Sequence, residues 1–302
     1  MIKIETKGLD DFSDTYLNNV KSKVLDMLKK SSLSRKHKNI IINNIDTILI
    51  GKKSELDKLF NNKDFFLVLK NASKSIKNKI TKIFDYAFIK PELRHHILNV
   101  INVKVCPYCG RQFITSYKKG KNIKSTACLD HYYPKSKYPL LSLSLYNFVP
   151  SCYVCNSLMK TTKDFYKKKH LYPYEECFGE DATFGLEGFD IITDYIKSDS
   201  AKKINSIEIG LNVKDCENKE KINNNIETFK LKDAYQTHDD VVKDLLYKIK
   251  LYSPTQISQI ANLLKLNEQE VEESIFGKPM DDELLGKLKS DILNQYRGNH
   301  NR

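Results

Sequence analysis

Two Cys-x-x-Cys pairs constrain this chain more than any other feature of its sequence. Cys106 and Cys109 form the first pair, Cys152 and Cys155 form the second, and 42 residues separate them. Two residues between thiolates let both sulfurs of one turn reach a single ion, and four thiolates favour tetrahedral Zn²⁺ at about 2.3 Å per bond. Such an ion joins distant parts of the chain and contributes to folding. Because four thiolates leave no open coordination position, the predicted zinc is structural rather than catalytic.

The cysteine usage is typical of a reducing compartment. Seven cysteines is an odd number in a chain of 302 residues, whereas a secreted disulfide scaffold is shorter and evenly paired. A thioredoxin-type redox site is the alternative, but it needs one pair at a helix start and no second pair. The start of the chain is charged rather than apolar, and no apolar stretch is long enough to span a bilayer. We therefore expect a soluble, cytoplasmic protein with no membrane partner.

The charge balance points towards polyanions. The formal net charge is +12 and the isoelectric point is about 9.1, and a positive field raises the rate of encounter with nucleic acid. Lysine and asparagine are abundant and tryptophan is absent, a mixture that fits an AT-rich coding bias. A solvated basic surface with no partner is therefore an equally good interpretation of the charge alone.

Hydrophobic periodicity divides the chain into three regions and predicts an α+β fold that is mostly helical. Residues 1–102 form a helical region, 103–180 form a central region with the cysteine pairs and short strands, and 181–302 are mixed and then helical. A polar run at 219–227 is expected to be a surface turn or loop. The predicted strands are 112–117, a segment approaching Asp130, and 206–213. The predicted helices are 9–30, 35–50, a turn capped by Ser54, 73–89, 91–100, 156–168, 237–251, one from 253, 267–276 and 281–296.

Four polar residues lie between the cysteine pairs or directly after them, where they are difficult to explain as packing. Asp130 and His131 are adjacent, Asn147 follows, and Asn156 comes directly after Cys155. A neutral imidazole is the usual general base for activating water. Oxygens of Asp130 and Asn156 suit a hard divalent cation, and the amide of Asn147 can bridge a loop through backbone hydrogen bonds.

The stretches "LDHYYPKSKYP" and "YNFVPSCYVCNSLMK" resemble the HNH endonuclease motif in its four-cysteine form, over about residues 103–170. The resemblance implies a central β-β-α-metal core stabilised by zinc. It implies that His131 is the general base and that Asn147, the middle catalytic residue of the motif, steadies the loop and the histidine. Asp130 and Asn156 would hold a catalytic Mg²⁺ or Mn²⁺, with Asn156 also counted as catalytic because it occupies the third motif position in place of a histidine.

The same resemblance implies hydrolysis of DNA phosphodiester bonds to 5′-phosphate and 3′-hydroxyl ends. The ion would contact the scissile phosphate, and lysines near the motif are candidates for sequence-independent phosphate contacts. A solvated surface role is equally compatible with each lysine taken singly. These candidates are Lys135, Lys137, Lys160 and Lys163.

A narrower resemblance extends over much of residues 103–250. The stretches "YPYEECFGEDATF" and "FKLKDAYQTHDDVVKDLLYK" look like HNH nucleases of Septu-type and retron-linked anti-phage defence systems. That resemblance implies an ABC-type ATPase partner that holds the nuclease and senses infection. The helices at both ends of the chain would then be surfaces for docking this partner.

Two other functions remain compatible with the sequence. A stand-alone restriction or homing nuclease needs its own target-reading module, and "PTQISQIANLLKLNEQEVEESIFG" is superficially similar to a helix-turn-helix. A zinc-stabilised nucleic-acid-binding module without catalysis is the third possibility. It predicts that replacement of His131 by Ala changes local stability alone.

Overall fold

The computed structural model describes residues 1–62, 65, 72–120, 122–188, 207–277 and 283–300. This part of the chain is mostly helical and carries two-stranded antiparallel sheets, so the expected α+β class is confirmed. The chain divides into two compact units. The first unit comprises Lys3–Pro107 and Phe113–Glu176, and the second comprises Met1–Ile2, Tyr108–Gln112 and Cys177–Arg302.

Helices make up the N-terminal part of the first unit. Helix α1 buries one stripe of apolar residues at helical spacing, which explains why this segment folds as predicted. Gly8 lets α1 approach α6 closely, because a Cβ atom there would lie 2.0 Å from the carbonyl oxygen of Val100. The helices are α1 (Lys7–Lys30), α2 (Arg35–Asn43), α3 (Ile45–Ile50), α4 (Lys53–Asn61), α5 (Lys74–Ile83) and α6 (Pro91–Ile101).

Three predicted helix boundaries in this unit are wrong. The helix expected at 35–50 is divided at Asn44 into α2 and α3. Ser54 does not cap α4, because the helix begins at Lys53 and its first turn is closed by a bond from the Lys52 N–H to the Glu55 carboxylate. The helix expected at 73–89 ends at Ile83 and is followed by a 3₁₀ turn, although Ser73 is its N-cap.

Two short hairpins follow these helices. Strand β1 (Ser116–Lys119) pairs with β2 (Asn122–Ser125), and the turn contains Gly120 at φ +61°. The first strand therefore lies further along the chain than the predicted 112–117. Strand β3 (Cys128–His131) pairs with β4 (Phe148–Ser151) so that His131 lies opposite Phe148.

A π-helix, Val154–Lys160, comes after β4. The helix expected at 156–168 is thus shorter and begins earlier, since Thr161 at φ +52° stops it. The chain then continues through turns.

The N-terminal helices fix the 3₁₀ turn Pro139–Leu143 that lies between β3 and β4. The hydroxyl of Ser142 donates to the carbonyl of Phe84 at the end of α5. Tyr16 on α1 donates to the carbonyl of Leu143 at 2.7 Å. Both contacts are buried, so the backbone of this turn is held in place from outside the motif.

The second unit combines a hairpin with helices. Strand β5 (Ala182–Leu186) pairs with β6 (Ile209–Val213), which confirms a strand within the predicted 206–213, although residue 206 lies outside the described part. The polar run at 219–227 is a helix rather than a loop, because Ile222 and Ile226 fall on one face and are buried. The helices are α7 (Lys219–Thr228), α8 (Leu231–Gln236), α9 (Asp239–Leu251), α10 (Pro254–Leu264), α11 (Glu268–Phe276) and α12 (Gly286–His300).

The last helices of this unit lie close to their predicted positions. Ser253 and Asn267 cap α10 and α11 through side-chain bonds to the third residue of each helix. The helix predicted at 281–296 corresponds to α12, although residues 281–282 lie outside the described part. Within the described residues, no helix combines the length and apolar character needed to cross a bilayer.

Candidate active site

The structure brings the four predicted zinc ligands together. The sulfur atoms of Cys106, Cys109, Cys152 and Cys155 all lie within 4.8 Å of one another, and all four residues are buried. The backbone N–H of Cys155 lies 3.4 Å from the sulfur of Cys152 and donates to it, as in a metal-binding knuckle. A compact group of four buried thiols can hold one metal ion such as Zn²⁺, as the spacing of the cysteines predicts.

A cavity of about 590 Å³ opens in the first unit beside the end of β3. Five of the residues singled out in the sequence line it, although they come from β3, the π-helix and the loop between them. These residues are Asp130, His131, Lys135, Asn156 and Lys160. Asn147 and Lys163 are not among the residues that line it. The cavity therefore collects most of the polar residues singled out in the sequence.

His131 is the last residue of β3, and its imidazole is almost fully buried, with 8% of the residue exposed. Its Nε2 atom lies 3.0 Å from the carbonyl oxygen of Ser142. Because a carbonyl only accepts, Nε2 carries the hydrogen and Nδ1 is the acceptor. Burial lowers the pKa of His131 to about 4, against the opposing effect of the Ser142 bond. The ring is thus neutral near pH 7, which is the form a general base requires.

The side chain of Asn147 is fully buried and bonds to backbone groups at both ends of a loop. Its Oδ1 atom accepts from the N–H of Tyr133 at 2.7 Å, and its Nδ2 atom donates to the carbonyls of Tyr133 at 3.1 Å and Leu141 at 2.8 Å. Asn147 therefore fixes the segment that directly follows His131.

Asp130 and Lys160 form a buried ion pair. The Nζ atom of Lys160 lies 2.9 Å from Oδ1 of Asp130 and 2.7 Å from the carbonyl oxygen of His131. Only 3% of Asp130 and 1% of Lys160 is exposed. Lys160, a candidate phosphate contact in the sequence, is thus placed inside the protein with its ammonium on the carboxylate of Asp130.

The remaining candidates lie nearer the surface. Asn156 is half-buried on the π-helix, with its Nδ2 atom 3.4 Å from the hydroxyl of Ser157. Lys135 is exposed, and its Nζ atom lies 4.9 Å from the centre of the Tyr86 ring. Lys163 is half-buried beyond the end of the π-helix. Lys137 lies 3.6 Å from the carboxylate of Asp164.

Two residues that line the cavity, Tyr86 and Arg94, were not predicted from the sequence. Tyr86 presents its ring at 5.1 Å from the ring centre of His131, with the planes at 70°. The guanidinium carbon of Arg94, on α6, lies 5.6 Å from the centre of the Tyr86 ring. The Nε atom of Arg94 is buried and has no hydrogen-bond partner among the described residues. Both residues belong to the helical region, where no motif distinguishes them from packing residues.

Comparison of the chain with protein-family models, with curated proteins and with solved structures gave no match. The function is therefore argued from the residues of the cavity and from their geometry.

Proposed function

We propose that this protein is a metal-dependent endonuclease of the HNH type that hydrolyses phosphodiester bonds of DNA. The observation that carries the proposal is the position of His131 on the wall of the cavity, with its Nε2–H bonded to the Ser142 carbonyl. This bond selects the tautomer in which Nδ1 accepts a proton. His131 would remove a proton from the water that attacks phosphorus.

The order of elements supports the same proposal. The β3–β4 hairpin is followed by the π-helix. Each of these three elements either contains a polar residue of the motif or directly follows one. His131 ends β3, Asn147 lies directly before β4, and Asn156 is on the π-helix. This order is the one that the β-β-α-metal resemblance implies.

The cavity also offers oxygen donors for a hard divalent cation. Asp130 and Asn156 supply a carboxylate and an amide among the residues that line the cavity, and Mg²⁺ is usually held by one or two carboxylates, substrate phosphates and water. One carboxylate oxygen of Asp130 also accepts from the Lys160 ammonium. When bound there, Mg²⁺ or Mn²⁺ would stabilise negative charge at the scissile phosphate.

Two positively charged side chains that line the cavity suit a phosphodiester substrate. Arg94 on α6 and Lys135 after β3 both line the cavity, and both contact the ring of Tyr86. A planar guanidinium binds two oxygens of one phosphate, whereas an ammonium acts as a point charge. We expect these two residues to bind and orient the phosphate beside His131.

Plasmid nicking in Mg²⁺ or Mn²⁺ tests this proposal. The wild-type protein should nick, and a His131→Ala variant of equal zinc content should not. His37→Ala is the matched control, since His37 is on α2, outside the cavity. The products should carry 5′-phosphate ends that a ligase can join. Equal nicking by wild type and His131→Ala would refute the role of His131.

The defence role and its ATPase partner stay proposals that depend on the narrower resemblance. Nicking that appears only when a candidate ABC-type ATPase and ATP are added would support them. Nicking at the same rate without the ATPase would favour a stand-alone nuclease. A protein that binds DNA tightly but does not cut under either condition would favour the non-catalytic module.

A further inference from the structure

The β1–β2 hairpin lies in a segment whose charged residues are all basic. Residues 93–129 contain seven Lys or Arg residues and no Asp or Glu. The charge of this segment is therefore not compensated locally along the sequence. Both strands of the hairpin fall within it.

One face of the hairpin borders the cavity. Ser116 lies opposite Ser125, and Ile123 lies next on the same face because successive side chains alternate between the two faces. All three residues line the cavity that contains His131. The hairpin is thus a continuation of the cavity wall.

The other face is exposed and combines cations with an aromatic ring. Tyr117 lies opposite Lys124, and Lys119 follows on the same face. Tyr117 is 49% exposed although it is a large aromatic residue. Basic residues clustered on one exposed face are the electrostatic footprint of a nucleic-acid-binding surface.

The lysines of the hairpin are available to bind an anion. Lys118, Lys119 and Lys124 are all exposed. Within the described part of the chain, none of them forms an ion pair with a carboxylate. Phosphates that approach the hairpin therefore meet cations that no acidic side chain of the described protein neutralises.

The base of the hairpin is fixed and its tip is open. Thr115 and Thr126 close the base through backbone and side-chain bonds of 2.9 and 3.0 Å. The hydroxyl of Ser116 lies 2.8 Å from Nδ1 of His95 on α6, which ties the hairpin to the helix that bears Arg94. At the tip, apart from Gly120 and its two neighbours in the chain, no described atom lies within 4 Å of the position that a Cβ would take on Gly120.

We propose that the β1–β2 hairpin is a docking arm that binds a B-form DNA duplex beside the cavity. This inference rests on the proposed function and adds the surface that holds the substrate. A B-DNA major groove, about 12 Å wide, admits a two-stranded β-ribbon. The deep and narrow major groove of A-form RNA does not. Lys119 and Lys124 would contact phosphates on the face where Tyr117 packs against the duplex, and Lys118 would contact them from the face that borders the cavity.

Salt-dependent binding of a labelled DNA duplex tests the arm. We would measure fluorescence anisotropy in a His131→Ala background, so that bound DNA is not cut. The arm variant is Lys118→Gln/Lys119→Gln/Lys124→Gln. The matched control is Lys23→Gln/Lys29→Gln/Lys30→Gln, which removes the same charge from exposed positions on α1. Zinc content and circular dichroism verify that each variant is folded.

We expect the slope of log K against log salt to decrease by up to about 2.7 in the arm variant, at ~0.9 for each lost phosphate contact. The control should keep the wild-type slope. An equal decrease in both variants would overturn the arm, and so would tighter binding of an RNA duplex than of DNA. If none of the proteins binds the DNA duplex at low salt, both the docking arm and the proposed nuclease are overturned. If the salt slope decreases in the arm variant but the wild-type protein does not nick DNA under any condition, the docking arm is supported and only the nuclease proposal is overturned.

Discussion

The Lys160 ammonium bridges the Asp130 carboxylate, at 2.9 Å, and the backbone carbonyl of His131, at 2.7 Å. It thereby joins the end of the π-helix to the end of β3, the two elements that carry the candidate ion ligands. Since both side chains are buried, neither partner can be replaced without a consequence for the other.

Removing the ammonium should destabilise the protein strongly. Lys160→Met keeps most of the length of the side chain but leaves a buried carboxylate without its cation, at a cost of about 3–5 kcal/mol. Urea unfolding at saturating zinc measures this loss. The Asp130→Asn/Lys160→Met double variant should be more stable than the sum of the two single losses predicts. Strictly additive losses would show that the two side chains do not interact.

Asn147 should matter for stability as much as for activity. Asn147→Ala leaves one N–H and two carbonyls without their buried partner, each at a cost of about 1–3 kcal/mol. The control is Asn19→Ala, which removes a single bond on the exposed face of α1 and should change stability by less than about 0.5 kcal/mol. Similar unfolding midpoints for the two variants would contradict the bridging role of Asn147.

The four-cysteine group should hold one zinc ion per chain. Cys152→Ser removes one of the four clustered thiols, whereas Cys216→Ser removes a half-buried thiol that does not belong to the group. Elemental analysis should find bound zinc lost or greatly reduced in the first variant and unchanged in the second. A strong chelator should unfold the wild-type protein cooperatively, because metal binding and folding are coupled. Full zinc content in Cys152→Ser would rule out the assigned ligand set.

Arg94 should contribute to turnover rather than to folding. Arg94→Gln removes a cation from the cavity wall, and we expect nicking to slow by roughly 10²-fold if the guanidinium binds the charge that develops at phosphorus. Arg94→Lys should recover part of the rate because it restores the charge without the planar fork. Arg35→Gln, on the exposed start of α2, is the control and should nick at the wild-type rate. Stability that falls in parallel with the rate would assign Arg94 a packing role.

The sequence was most informative where residues close in the chain act together. The spacing within each cysteine pair predicted the four-thiol group, and adjacent positions brought Asp130 and His131 to the cavity. The Asp130–Lys160 pair was not foreseen, because 30 positions separate the two residues and only the π-helix brings them together. Tyr86 and Arg94 approach the site through tertiary packing of α6 and the turn before it, for which the sequence holds no local signal.

Polar composition concealed a helix for a related reason. The run at 219–227 was interpreted as a loop because asparagine and lysine dominate it. Yet Ile222 and Ile226 are four positions apart, which is enough to bury one face. Tertiary burial of two side chains outweighed the weak intrinsic preference of their neighbours.

The bonding of Asn147 has a consequence for how this site would change over evolutionary time. Its side-chain amide accepts one hydrogen bond and donates two, and the partners in these three bonds are backbone atoms. The need for an asparagine at this position therefore does not depend on which side chains surround it. A lineage that lost the activity would therefore still retain this asparagine, while substitutions of His131 would no longer be selected against. Descendants that keep the asparagine but vary the histidine would mark the branches in which selection for the activity has ended.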